Sequence, residues 1–173
     1  MNFFELTNKR QSTRKFKTDE LKQSDLDIIV EAARRSPSAV NSQQYKIHVA
    51  TGEAAKKIAK ARGPYNNFVD DAPCMIVITK ERSNLLLKFA NKFTKKDFTD
   101  IDIGILAATI CYQAEDLGIG SCMLGLFKED EIKEILNTKS EVALLIVLGY
   151  PVDDYELRIK KRKYLDKFKE DLC

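Results

Sequence analysis

Two hydrophobic periodicities alternate along the chain. Leu26, Ile29, Val30 and Ala33 fall at helical spacing. Ser24-Asp25-Leu26-Asp27 ahead of them offers an N-cap hydroxyl with an acid three residues on, so a helix is predicted from Ser24 to near Arg35. The same period recurs over 53–61, 84–93, 101–117 and 128–136. Tyr45–Thr51 instead alternates around Ile47 and Val49, as a half-covered strand does, whereas 73–79 (Pro-Cys-Met-Ile-Val-Ile-Thr) and Val142–Gly149 are unbroken apolar runs. Such runs suit strands covered on both faces. Strands interleaved with helices predict an α/β or α+β sandwich around a covered central sheet.

Segment 101–117 is apolar nearly all round, which in a soluble chain means a helix buried on most sides. It carries Asp102, Gln113, Glu115 and Asp116, and it falls short of the roughly 20 clean residues a membrane span requires. Part of its burial is expected from a second subunit. Gly104 within it costs about 1 kcal/mol against Ala, so it is read as a close helix approach rather than a break.

The length of 173 residues fits one domain, 1–173, with 152–173 as a basic C-terminal extension. Hydrophobic residues make up 44% and charged residues 32%, so wholesale disorder is excluded. Cys74, Cys111, Cys122 and Cys173 form no CxxC pair, which disfavours a zinc knuckle or a disulfide framework and fits reduced thiols in a cytoplasm. Met1-Asn-Phe-Phe-Glu-Leu has no secretory pattern, and no membrane association is expected. Net charge is only +3, but Arg158, Lys160, Lys161, Arg162, Lys163, Lys167 and Lys169 crowd the tail. By itself that cluster reads as a solvated tail, a nucleic-acid patch or a phosphate site. Tyr155, Tyr164 and Phe168 interleave it and could stack on bases. No nucleic-acid motif accompanies them, so a nucleic-acid partner is not expected.

His48 is the only histidine, which leaves no room for a multi-histidine metal site within one chain; its mid-strand position suits a packing role. Neither GxGxxG nor GxxxxGK[ST] occurs, so a nucleotide must be held another way. Arg10, Ser12 and Arg14 alternate, and in an extended stretch two guanidinium forks and a hydroxyl would point to one side, as a phosphate needs. A plain basic segment after a first helix is the competing reading. Residues 36–44 (Ser-Pro-Ser-Ala-Val-Asn-Ser-Gln-Gln) bring amide donors and acceptors suited to a ring edged with carbonyls and imines, although a helix-to-strand loop would also use the Pro and Ser. In 117–125 (Leu-Gly-Ile-Gly-Ser-Cys-Met-Leu-Gly), glycines would let a flat ligand lie against backbone or simply make a tight turn.

Taken in order, these segments resemble the nitroreductase family of FMN enzymes over nearly the whole chain. The resemblance is carried by RQSTRKF at 10–16, AARRSPSAVNSQ at 32–43, Asp71-Ala-Pro, Asp102-x-Gly104, Gly118-Ile-Gly-Ser-Cys, Leu148-Gly-Tyr-Pro and a basic pair near 162. It implies an α+β fold with a central, mostly antiparallel sheet covered by helices, and an intertwined homodimer with FMN at the subunit interface. It assigns Arg10, Gln11, Ser12 and Arg14 to the phosphate and pyrimidine side, with Arg162 and Lys160 or Lys163 completing the phosphate grip. Pro37, Ser38, Ala39, Asn41 and Gln43 would come from the other subunit, and Met123, Leu124 and Gly125 would underlie the flavin ring.

NAD(P)H would be the electron donor and a nitroaromatic, quinone or similar small molecule the acceptor, with the flavin N5 carrying the chemistry, no catalytic side chain and no metal. The alternative is an FMN carrier or sensor with little turnover. Three features depart from the family pattern. Gln11 stands where many relatives have a basic residue, and Gln44-Tyr45 replaces a Pro-aromatic pair. The short 81–99 stretch carries Phe89, Phe93 and Phe98 as core, dimer contact or substrate lid.

Overall fold

The two unbroken apolar runs lie side by side at the centre of the molecule. In the computed structural model, which describes residues 1–82 and 85–172, they form β2 (Cys74–Lys80) and β4 (Val142–Gly149). Asn84, where one predicted helix begins, and Cys173 lie outside the described residues. β2 and β4 pair antiparallel from Cys74↔Leu148 to Thr79↔Val142, with one irregularity at Ile78/Thr79. β1 (Tyr45–Thr51) flanks β2 and β3 (Gly120–Leu124) flanks β4, so the order is β1-β2-β4-β3 and every pairing is antiparallel.

Side chains alternate across a strand, so β2 and β4 send residues to two cores. Ile76, Ile78, Ile146 and Leu148 pack beneath α2 (Gln23–Arg34) and α5 (Phe98–Asp116), against Leu26, Ile29, Ala33, Leu106 and Ile110. Met75, Val77, Leu145 and Val147 pack beneath α3 (Gly52–Lys60) and α6 (Glu129–Leu136), against Ala55, Ile58 and Ile132. Each fully buried Ile or Leu contributes about 1.5–3 kcal/mol. Cover on both faces is why these strands read as unbroken apolar runs. The fold is α+β, with an antiparallel sheet between helical layers. No helix among the described residues is long and apolar enough to cross a membrane.

Several sequence expectations are corrected. Ser24 is not the N-cap of α2; Lys22 is, without a side-chain bond. The helix starts at Gln23, whose Nε2 donates to Asp27 Oδ1 at 2.8 Å, while Ser24 Oγ reaches only Asp25 Oδ1 at 3.5 Å. α5 starts three residues before the predicted 101, where Asp97 accepts from the Thr99 and Asp100 N–H groups. Val49 stays 42% exposed on β1, an edge strand. α5 is buried on one face only. Ile101 and Ile105 lie exposed on the other, and a Cβ on Gly104 would meet nothing within 4 Å, so Gly104 marks no close approach within this chain.

Glycine matters where the N-terminal segment crosses the sheet. Ser12 bridges Ser121 on the outer side of β3, and Phe16 bridges Pro151. A Cβ on Gly120 would lie 2.7 Å from Thr13 Oγ1, and one on Gly149 would lie 2.9 Å from Phe16 Cδ1. These two glycines let the segment pass close over β3 and β4, covering the β3 edge at Ser121 and leaving its Met123 end open.

Candidate functional site

Both chain ends build the site. After α1 (Phe3–Lys9) the chain runs extended, and the tail beyond β4 runs back against it. Lys17 N donates to the Tyr150 carbonyl at 2.8 Å, and Lys17 Nζ pairs with Asp153 at 2.5 Å. The Tyr155 hydroxyl accepts from Arg14 N at 2.9 Å and donates to the Ser12 carbonyl at 3.3 Å. Gln11 bonds to the backbone of Glu156 and Arg158. Lys160 Nζ donates to the carbonyls of Thr7 and Asn8 at the end of α1, where unpaired carbonyls and the helix dipole favour a cation. The first half of the tail is therefore docked.

Between these segments lies a cleft of about 340 Å³ lined by Arg10, Arg14, Arg158, Lys160, Lys161 and Arg162, together with Gln11, Ser12 and Ile159. No carboxylate lines it. Six cations facing one volume repel each other, and an anion relieves that repulsion. Lys160 responds accordingly: burial, with Arg10 and Arg162 nearby, lowers its pKa. The two arginines of the 10–14 stretch share the cleft and sit over different rings. Arg10 Cζ sits 6.0 Å from the Tyr112 ring centre and Arg14 Cζ 5.9 Å from that of Phe68. Cation–π contacts at such range hold a guanidinium without consuming its N–H donors. Behind the cleft, burial raises the carboxyl pKa of Glu115, while Lys9, Lys160 and Arg10 pull it down.

The 36–43 loop docks on α5 instead. Ala39 N donates to both carboxylate oxygens of buried Asp102, at 3.0 and 3.1 Å, and Ser36 Oγ bonds Thr109 Oγ1 at 3.0 Å. Val40, Asn41 and Gln43 all have positive φ, between 47° and 53°. That is uncommon outside glycine and strained for β-branched Val40. The strain folds the loop on itself: Gln43 Nε2 donates to Asn41 O and Oδ1, and Gln43 N to Ser38 Oγ at 3.2 Å. Pro37, Ser38, Ala39, Asn41 and Gln43 line no part of the basic cleft.

The nitroreductase family model matches residues 7–63 and 59–150, most of the chain. This chain belongs to the nitroreductase family. It is 30% identical to the FMN reductase (NAD(P)H) of Bacillus subtilis strain 168, an alignment covering 86% of this chain and 65% of that one. The chain thus spans about two thirds of that relative's length. Among solved structures it resembles a nitroreductase family protein of Clostridium novyi NT, with 29% identity, TM-score 0.77, and 88% and 87% of the two chains covered. It also resembles the FMN-dependent nitroreductase of Clostridium difficile R20291, with 26% identity, TM-score 0.72, and 97% and 95% covered.

In this chain the remaining predicted site residues separate. Met123 is 40% exposed at the end of β3, and Gly125 opens onto free space. The Leu124 side chain is buried in the α3/α6 core, so only its backbone can face a ligand. Lys163 lies outside the cleft, on a neighbouring groove with Leu165 and Phe168. Gln11 spends its amide on the tail. His48 is structural, with Nε2 3.0 Å from Thr79 Oγ1. Phe89 and Phe93 are stacked on each other with centroids 6.4 Å apart, at 71% and 82% exposure, so neither belongs to the core of this chain.

Arg158 and Lys161, named from the sequence only as members of the tail cluster, line the cleft, and Tyr155, Tyr112 and Phe68 contact its backbone or arginines. Arg158, Lys160 and Arg162 repeat the alternation of Arg10, Ser12 and Arg14, the signal that could have found Arg158. The rings of Tyr112 and Phe68 leave no such trace.

Proposed function

We propose that this chain is an FMN-dependent oxidoreductase that takes hydride from NAD(P)H and delivers electrons to a small acceptor such as a nitroaromatic or quinone, working as a homodimer. The observation that carries this reading is the six-cation, carboxylate-free cleft assembled from both chain ends. Its donor set fits a terminal phosphate, because charge-assisted N–H bonds to phosphate oxygens are the strong ones and guanidinium forks match their geometry. The names of the B. subtilis and C. difficile relatives point to the same cofactor and, for the former, the same donor.

FMN, when bound, supplies the hydride acceptance and the electron transfer. The chain's residues bind and orient. Arg14, Arg162 and Lys161 hold the phosphate, Ser12 adds a hydroxyl, and the Met123 and Gly125 end of β3 gives the ring an open backbone edge. No histidine or carboxylic acid lines the cleft among the described residues, and Glu115, whose pKa burial raises, lies behind it, so these residues bind and orient the ligand and hold no proton for it.

The dimer reading rests on the uncovered face of α5. Ile105, Ala108 and Tyr112 line an open groove with Met1, Phe3 and Leu6, and Ile101 continues the same face. An apolar strip of this kind on an enzyme of this size suits a second copy. The 36–43 loop, which is not at its own cleft, would then serve the partner's.

Purified protein should be yellow with one extractable FMN per chain, and it should oxidise NADH or NADPH when menadione or a nitrofuran is supplied. Protein that takes up no flavin overturns the reading. Bound FMN that neither nicotinamide reduces would make the chain a carrier.

A further inference from the structure

One amide holds the tail in register. Gln11 Nε2 donates to the Glu156 carbonyl at 3.1 Å, and its Oε1 accepts from the Arg158 backbone N–H at 3.1 Å. A side chain thereby makes the acceptor–donor pair that a neighbouring strand would make, spanning 145–147 residues of sequence. The same Oε1 accepts from Arg158 Nε at 3.2 Å, and Arg158 Nη2 donates to the Ser12 carbonyl. Two of the five guanidinium N–H donors are used in this way and three remain, on a group that lines the cleft beside Arg10 and Arg14.

Lys160 has a different position. Its ammonium sits on the Thr7 and Asn8 carbonyls and carries the end of α1. A flexible arginine tail would lose its conformational freedom on gripping an anion, whereas a guanidinium pinned beforehand at two points does not.

We propose that Arg158 is a further phosphate ligand of the cleft and that Gln11 is its positioning residue, fixing the tail so that this guanidinium stands ready. The inference rests on the reading of the cleft as an FMN phosphate site. In it Gln11 acts through Arg158 and does not touch the cofactor, and Lys160 supports the tail more than it grips the ligand.

The test is fluorescence titration of the full-length apoprotein with FMN and, separately, riboflavin, which lacks the phosphate. Circular dichroism and thermal unfolding verify that each variant folds. Arg158→Ala should raise the FMN dissociation constant about tenfold or more, the size expected for a lost charge-assisted bond, and leave riboflavin unchanged. Gln11→Ala should raise it several-fold for FMN alone. The double variant should be no worse than Arg158→Ala, because the two residues act as one unit. An unchanged FMN constant in Arg158→Ala overturns the inference, as do equal losses for FMN and riboflavin or additive losses in the double variant. Wild-type protein that binds riboflavin and FMN equally, or binds neither, overturns the phosphate reading and this inference with it.

Discussion

The basic cleft and the 36–43 loop were predicted to meet at one flavin, yet they are built in opposite ways. The cleft is complete within one chain: Lys17, Gln11, Tyr155 and Lys160 stitch the two termini together by side-chain bonds, and what they leave facing inward is positive charge. The loop is anchored at Asp102 and Thr109, bends through three left-handed residues, and pairs its amides with each other. Charge repulsion makes the first region incomplete without an anion. The second pairs its Asn41 and Gln43 amides with each other but leaves the buried Ser42 hydroxyl without a partner among the described residues. On the function proposed above, the phosphate end of the ligand would be held by one chain and the ring edge by a pair of chains.

The largest expected effect breaks the cleft. Arg14→Ala and Arg162→Ala should each raise the FMN dissociation constant roughly 10- to 150-fold, from about 1.5–3 kcal/mol per charge-assisted bond. Lys163→Ala, outside the cleft, and Lys169→Ala should change it little. If all four behaved alike, the tail would be a diffuse field of charge. A smaller loss is expected from the loop: Asn41→Ala removes a neutral hydrogen-bonding group, worth about 0.5–1.5 kcal/mol, hence about 2- to 12-fold in FMN affinity. Salt sharpens the contrast, because screening should weaken the arginine contribution and leave the Asn41 contribution nearly constant.

Smaller still is the strain in the loop. Val40→Gly removes a β-branched residue from φ 48°. That relieves about 1–3 kcal/mol, offset by about 0.5–1 kcal/mol of added unfolded-state entropy. The melting temperature should rise by about 2–4 °C, the shift expected for about 1 kcal/mol in a chain of this size. A fall would mean that the Val40 side chain contributes more through contacts than its backbone costs.

The smallest effect belongs to the sheet and to neither region. Burial, with help from Lys46 and against Glu81, holds the His48 pKa below its usual 6.5. The unfolded chain then takes up this proton first as pH falls. Stability is full above about pH 6.5 and declines below it, through the lowered folded-state pKa. His48→Gln should flatten that decline in denaturant titrations between pH 7 and pH 5, and an unchanged slope would remove His48 from the account.

The sheet was legible because its central strands are covered on both faces and so read as unbroken apolar runs, and its edge strand alternates, so Val142–Gly149 and Tyr45–Thr51 emerge with the bounds read from the sequence. The start of α5 was missed although Asp97 and Asp100 mark it, because the apolar period alone begins later. The alternation of Arg10, Ser12 and Arg14 does set all three on one cleft, since extended backbone keeps such residues on related sides. The spacing of Asn41 and Gln43 does not bring them to this chain's own cleft. Positive φ angles at Val40, Asn41 and Gln43 accompany the pairing of the two amides, and no residue pattern announces that in a loop without glycine. Gln11 looked like a lost charge, and only the long-range pairing with Arg158 shows what its amide does.

The central claim is that each flavin draws its phosphate grip from one chain and its loop from the other. It is tested most directly by mixing an Arg14→Ala chain with an Asn41→Ala chain, isolating the heterodimer and titrating FMN. Shared sites place both lesions at one cleft and neither at the other, so half of the sites should bind with wild-type affinity. Sites built within single chains would all stay damaged, and a titration without any wild-type fraction would contradict the account.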